Sequence, residues 1–169
     1  MKAVATLFSI LIFSPLWTYA QEEPEKYKAP QGLTNIYLEL GGAGLFYSLN
    51  YEKYLVRSRS GKLAWTGRVG AGFNPIDYRL LNKVYLEQNS FMFPFSTSML
   101  YGRAKEQLEL GGGFTMLTRN FTRNEVFMIL AAGVRVMESN KVCFRFTYTP
   151  HIRMGAWIDW FGVSLGRNF

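Results

Sequence analysis

The chain holds one histidine, His151, and one cysteine, Cys143, so the acid–base and nucleophilic chemistry open to it is narrow. A histidine working as a general base needs a nucleophile within hydrogen-bond reach and an acid that orients its ring. His151 lies in the run Thr149, Pro150, His151, Ile152, Arg153, and no such set surrounds it. It reads as a loop histidine beside the outer end of a strand. Cys143 has no second cysteine for a disulfide or for redox exchange and reads as a small interior filler. There is no metal-ligand cluster, phosphate-cradling glycine loop or nucleophile motif. The residues therefore assign no catalytic group, no cofactor and no metal, and no enzymatic activity is expected.

Six charges stand out instead: Glu39, Glu52, Arg68, Glu109, Arg135 and Arg145. Each falls on the face of an alternating segment that is otherwise mostly glycine, serine and threonine. Such a row could select permeating ions. It could equally be a plug, because an eight-stranded barrel is just wide enough for side chains to fill, and three acids can neutralise three bases there. The balance of signs favours the plug, with the charges forming a lumen ion-pair network.

The elements that must position these charges are strands. From Thr34 onward the chain alternates with a period of two, which turns successive side chains to opposite faces. Ile36, Leu38 and Leu40 oppose Asn35, Tyr37 and Glu39. Parity flips across Gly41 to Gly44, after which Leu45, Tyr47, Leu49 and Tyr51 oppose Phe46, Ser48, Asn50 and Glu52. A flip at a glycine cluster means a tight hairpin or a bulge in one long strand. Further segments cover 63–73, 91–101, 106–116, 125–137 and 142–149, and a last one runs from about Trp157 to Phe169. Pro94 donates no ladder hydrogen bond and predicts a bulge or a local break in its strand. The 125–137 segment is apolar on both faces, so its register stays open. Counting the hairpin gives eight strands; counting one bulged strand gives seven, against the even number usual for single-chain bacterial barrels. The expected fold is all-β, an antiparallel up-and-down transmembrane β-barrel of eight strands.

Composition and chain organisation agree with that class. Apolar residues reach 49%, aromatics 17%, and there are 16 glycines, a mixture unlike a helical globule. A soluble barrel would turn its apolar face inward; here the charged face makes a poor soluble core and a reasonable lumen. Residues 1–20 combine Lys2, an apolar run and Ala20, and read as a secretory signal peptide. Residues 21–32 read as a periplasmic linker, and 33–169 as the barrel. After the leader no apolar run is long enough for a transmembrane helix. A net charge of +7 suits anionic lipid surfaces; with no aromatic–basic recognition motif, nucleic acid is not expected as a partner.

With the strands laid out, the chain resembles the small outer-membrane β-barrel proteins of Bacteroidota. The stretches carrying the resemblance are Ile36 to Glu52, Gly67 to Phe73, Leu108 to Gly113, Phe144 to Pro150 and Phe161 to Phe169. The resemblance implies an outer-membrane location and, in most members, no assigned activity. The terminal stretch is similar to the signal that the barrel-assembly machinery reads, in which a final aromatic follows apolar residues at even spacings. Phe161, Val163, Leu165 and Phe169 match it; Arg167 stands where an apolar residue is expected. One class of outer-membrane barrel enzymes, the lipid A deacylases, uses a His-x-Ser pair, whereas the residue two after His151 is Arg153.

Bacterial outer-membrane barrels put short turns in the periplasm and longer loops outside. The turns 102–105 and 138–141 are short, and the connections 74–90 and 117–124 are longer. Arg79, Lys83, Arg119, Arg123 and Arg153 then fall in outer loops or strand ends, where lipopolysaccharide phosphates are candidate partners. Tyr37, Tyr54, Trp65, Tyr101, Tyr148, Trp157 and Trp160 read as interface girdles. The expected role is structural or an interaction within the envelope, with an unidentified envelope protein as a further candidate partner. A narrow, porin-like pore for small solutes and a lipid-A-modifying enzyme are the alternatives.

Overall fold

The computed structural model describes residues 34–169 apart from 59–60, 75–77, 81–83, 87–89, 104, 120–122, 139–140 and 154. The side chains of 78–80, 84–86, 103, 119, 123 and 124 are also outside the description. The expected signal peptide and linker lie outside the described residues.

Eight antiparallel staves close into a barrel. They are β1 (Thr34–Gly41), β2 (Tyr47–Arg57), β3 (Leu63–Asn74), β4 (Ser90–Arg103), β5 (Glu106–Arg119) and β6 (Arg123–Met137). Then β7 is Val142–Tyr148, continued by His151–Arg153, and β8 is Ala156–Ile158 followed by Phe161–Asn168. Neighbours in sequence are neighbours in space, and β1 pairs with β8 from Asn35↔Asn168 to Gly41↔Gly162 to complete the ring. Every stave thus has two partners, so the sheet has no free edge. One end, the terminal rim, carries Thr34, Phe169 and the β2–β3, β4–β5 and β6–β7 turns. The opposite end, the loop rim, carries the other connections, including a small hairpin of Tyr78–Leu80 with Val84–Leu86.

The alternation read from the sequence maps onto the barrel wall. In β1, Asn35, Tyr37 and Glu39 are buried, while Ile36, Leu38 and Leu40 are exposed. In β8, Gly162, Ser164 and Asn168 point in, and Phe161, Val163 and Leu165 point out. The structure settles β6, which periodicity left open. Phe127, Ile129, Ala131, Arg135 and Met137 face the lumen, and Val126, Met128, Leu130, Val134 and Val136 face outward.

At Pro94 the expected local break is found and the bulge is not, and two further expectations need correction. The β4 register passes Pro94 without a shift, pairing it with Thr115 on β5. On the β3 side the pairing lapses between Val69↔Phe95 and Gly72↔Met92 and resumes in the same register, because a missing N–H removes a ladder bond without inserting a residue. The register shift lies instead between Tyr54 and Val56, where β2 leaves Leu55 and Val56 both exposed. The connection expected over 117–124 is shorter: β5 and β6 continue to the pair Arg119↔Arg123, because their two-faced pattern stays compatible with pairing beyond the membrane-length stretch.

The second correction concerns the glycine cluster. It is a hairpin tip, but the tip folds into the lumen as a single turn, Gly42–Gly44. Gly41 has φ 72° and Gly42 φ 62°, a region closed to most side chains. Leu45, itself at φ 65°, is buried and not outward-facing as its parity implied. Its neighbours are Met92, Leu117, Phe127 and Ile158, with Phe46 and Trp160 packed against them. Two bonds pin the tip: Thr115 Oγ1 donates to the Ala43 carbonyl at 2.7 Å, and Trp160 Nε1 to the Leu45 carbonyl at 2.8 Å. An apolar cap therefore closes the loop-rim end of the lumen. Tyr54, Ala64 and Leu100 form a smaller cluster at the other end.

A side chain at Gly41 would meet both positive φ and the Phe161 carbonyl oxygen. Gly41→Ala is expected to lower barrel stability by about 2–5 kcal/mol, combining left-handed strain with overpacking. Gly61 has φ 69° and open space around it, so Gly61→Ala should lose only the strain, about 1–2 kcal/mol. Urea unfolding midpoints of the two variants in the same detergent will check the difference.

Candidate functional site

Between the two apolar clusters the lumen holds a charged layer. Glu39, Glu52, Arg68, Glu109, Arg135 and Arg145 are all buried, and four close ion pairs join them. Arg135 forks onto Glu52, with Nη1 to Oε2 at 2.8 Å and Nη2 to Oε1 at 2.9 Å. The same Nη2 reaches Glu109 Oε2 at 3.0 Å, so Arg135 bridges two acids. Arg145 grips Glu109 in parallel, Nη2 to Oε1 at 2.6 Å and Nε to Oε2 at 3.1 Å. Such two-point pairs are the strongest form of charge-assisted hydrogen bond.

Hydroxyls from neighbouring staves complete the carboxylates. Ser98 donates to Glu109 at 3.0 Å and Thr66 to Glu52 at 2.9 Å. The other half of the layer is looser. Arg68 meets Glu39 at 3.3 Å, donates to the Tyr37 hydroxyl at 3.1 Å and binds Ser96 Oγ through Nε at 2.8 Å. The Arg145 guanidinium lies 4.5 Å over the Tyr37 ring and ties the two halves together by a cation–π contact.

Register explains why these partners could not be read from the chain. Glu52 and Arg68 sit directly opposite each other on β2 and β3, yet their ion pairs run elsewhere across the lumen. Arg135 and Arg145 are also direct cross-strand neighbours, an arrangement that like charges make unfavourable. Glu109, reaching from β5, lies between them and offsets that repulsion. Arithmetic of charge was legible; the choice of partner depends on curvature.

The remaining expected sites are dispersed over the barrel. His151 is not a loop residue. It faces the lumen in the β7 continuation, fully buried beside the backbone of Ala43 and Thr149. Its ring stands edge-on to Phe127, at 6.2 Å and 77°. Period two continues through Pro150, and this placed His151 on the inner face. Arg153 pairs with Glu125 at 2.7 Å and lies 5.3 Å over Phe127. Lys83 lies outside the described residues, as do the side chains of Arg79, Arg119 and Arg123. Cys143 is buried on the inner face of β7.

Among the expected girdle aromatics, Trp65, Tyr101 and Trp157 are exposed. Tyr37 and Tyr54 are inside the lumen, and Trp160 turns inward to bond Leu45. Asp159, an outward acid near the loop rim, accepts from Trp157 Nε1 at 2.9 Å and from the Tyr148 hydroxyl. Phe161, Val163, Leu165 and Phe169 line up exposed on the outer face of the closing stave. Arg167 shares that face close to the terminal rim, 6.0 Å from the Phe169 ring centroid, at a level where a long basic side chain can extend towards water.

Chemically, the lumen is a set of paired charges between two apolar caps. The outer wall is a belt of large apolar side chains, with Leu40 and Leu110 each 60% exposed. No protein-family model matches the chain, and no curated protein matches it. Among solved structures it is similar to the outer membrane protein Ail of Yersinia pestis in a phospholipid bilayer nanodisc. The TM-score is 0.53 at 9% identity, over 82% of this chain and 100% of that one. The likeness is one of fold: both are closed antiparallel barrels.

Arg135→Met is expected to destabilise the barrel by about 3–5 kcal/mol, because Glu52 and Glu109 both lose a buried partner. Adding Glu52→Gln should recover part of that loss by removing one stranded charge. Equilibrium unfolding of the single and double variants will check the sign of the coupling.

Proposed function

We propose that the protein is an integral outer-membrane barrel of the small Bacteroidota type, acting as a structural or envelope-interaction protein with a side-chain-filled lumen. The observation that carries this reading is the inversion of the barrel: ion pairs inside, an apolar belt outside. In water such a belt would far exceed the apolar patches that soluble proteins expose. In a bilayer it faces hydrocarbon, and closure satisfies the backbone bonds that lipid cannot. The fold shared with Ail supports the same location. In that setting the terminal rim is periplasmic, and export would be through the leader at residues 1–20. The outward face of the last stave would be read by the barrel-assembly machinery through Phe161, Val163, Leu165 and Phe169. The loop rim would then lie outside, where Arg153 and the basic residues Arg79, Lys83, Arg119 and Arg123 would meet lipopolysaccharide.

The filled lumen speaks against the pore reading. The infolded Gly42–Gly44 tip and its apolar neighbours occupy one end, and Arg135 spans from Glu52 to Glu109 below it. Wild-type protein in planar bilayers is expected to give no steady unitary conductance. The Arg68→Ala/Arg135→Ala double variant should be less stable yet equally silent. Regular single-channel steps from the wild type would replace this reading with the pore.

An enzymatic role on lipid A would need a nucleophile and base reachable from lipid. The one histidine is enclosed, its ring facing Phe127 and the infolded tip. Lipid A acylation patterns are expected to be the same in cells with and without the gene. A change in acyl chain number by mass spectrometry would make the enzyme reading the correct one.

A further inference from the structure

One part of the outer wall departs from the large apolar side chains around it. Lys53, Gly67, Thr97, Gly112 and Leu130 form a single register row across β2 to β6, all on the outward side. Three successive members of this row are small: Gly67, Thr97 and Gly112. The row on the loop-rim side is Tyr51, Val69, Phe95 and Phe114, with the Phe95 and Phe114 rings stacked at 5.2 Å. On the terminal-rim side the hollow is bounded by Leu55. The result is a groove of about 470 Å³ running across the staves, with a small-residue floor and tall apolar sides.

Wall packing does not account for glycine at position 67 of this floor, although it bears on Gly112, where a methyl would lie 3.1 Å from the Ile129 carbonyl oxygen. At the inward positions Gly111 and Gly113 a methyl group would strike the carbonyl oxygens of Thr97 and Phe95, so the wall itself demands glycine there. At Gly67 a methyl would lie 3.3 Å from Leu55 Cδ1, the movable end of a side chain. At Gly67 the hollow therefore exists by choice of side chain rather than by backbone necessity.

Charge identifies what fits. Lys53 ends the groove and is exposed on the outer wall. It makes no ion pair among the described residues. Opposite it on β1 is Thr34, the first residue of that stave, so the ammonium group lies close to the terminal rim. From Lys53 to Gly112 is three strand spacings, about 14 Å, which approximates half the hydrocarbon thickness of a bilayer. An apolar channel of that length, with one unpaired cation at the end near the rim, matches an acyl chain joined to an anionic headgroup.

We propose that this groove binds one anionic glycerophospholipid of the periplasmic leaflet, its acyl chain along Gly67, Thr97 and Gly112 and its phosphate on Lys53. The proposal rests on the membrane reading above. Binding holds by apolar contact along the chain and by a single charge-assisted contact at the head, so chain occupancy and headgroup preference are separable.

The full protein is reconstituted into phosphatidylcholine vesicles containing a minor fraction of phosphatidylglycerol, floated on a density gradient, then extracted in mild detergent for native mass spectrometry. One retained phosphatidylglycerol per barrel is expected, in preference to phosphatidylcholine. Lys53→Gln should reduce that preference about five-fold, the factor one lysine supplies near an anionic surface, and leave flotation unchanged. Gly67→Leu, and independently Thr97→Leu, should abolish retention by filling the floor while the barrel still floats. Flotation without headgroup preference, or equal retention by all variants, overturns the groove alone. A lipid-free dimer closing over the groove also overturns it, since the occupant is then a second copy. Failure of the wild type to float overturns the membrane reading and the groove with it.

Discussion

The pairing of β1 with β8 is the constraint on which the rest of this structure depends. Asn35 to Gly41 lie against Gly162 to Asn168, and with that seam closed every stave has two partners. A closed ring separates the side chains into two populations with no exchange between them, because successive residues alternate across the wall. Closure thus sets a volume problem inside and a surface problem outside. The chain solves each with a different set of residues.

Inside, eight staves leave room for side chains and little else. The chain fills that room in layers: an apolar cap with Leu45 and Phe127 at the loop rim, the charged layer in the middle, and Tyr54 with Leu100 near the terminal rim. The cap needs more material than β1 and β2 can supply from the wall, and the infolded tip provides it. Buried ions are costly to desolvate, and pairing only offsets that cost. The layer is therefore better understood as a specifier of geometry than as a large net source of stability. Three guanidinium groups and three carboxylates, held by hydroxyls from Ser98, Thr66 and Ser96, fix which stave faces which across the lumen.

Outside, the apolar belt is bounded by polar groups that mark its edges. Asp159, held by Tyr148 and Trp157, stands near the loop rim; Lys53 and Arg167 stand near the terminal rim. Arg167 breaks the apolar pattern of the last stave because it lies at that edge rather than in the belt. Glycines serve two purposes in this wall. Those facing inward, such as Gly111 and Gly113, yield to neighbouring carbonyls. Those facing outward, Gly67 and Gly112, lower the surface locally and shape the groove.

Local sequence pattern was enough for the class of fold and for most of the alternation of inner and outer faces, and it singled out the six residues of the charged layer, although Tyr37, Tyr54 and Trp160, expected as girdle aromatics, turn inward. It was enough because a period of two is a local property, set by backbone geometry at each residue. The chain also held the clue that His151 shares a face with Thr147 and Thr149, although Pro150 made that stretch look like a loop. The face of each residue in β6 needed the folded barrel, since both sides are apolar and only closure against β5 and β7 selects a register. So did the inward turn of the glycine hairpin, with Leu45 carried inside, and the shift in β2 after Tyr54 rather than at Pro94. The pairing of Glu52 with Arg135 instead of its cross-strand neighbour Arg68 belongs with them. These are contacts between residues far apart in the chain, and their partners are set by the curvature of a closed wall, which no local pattern records.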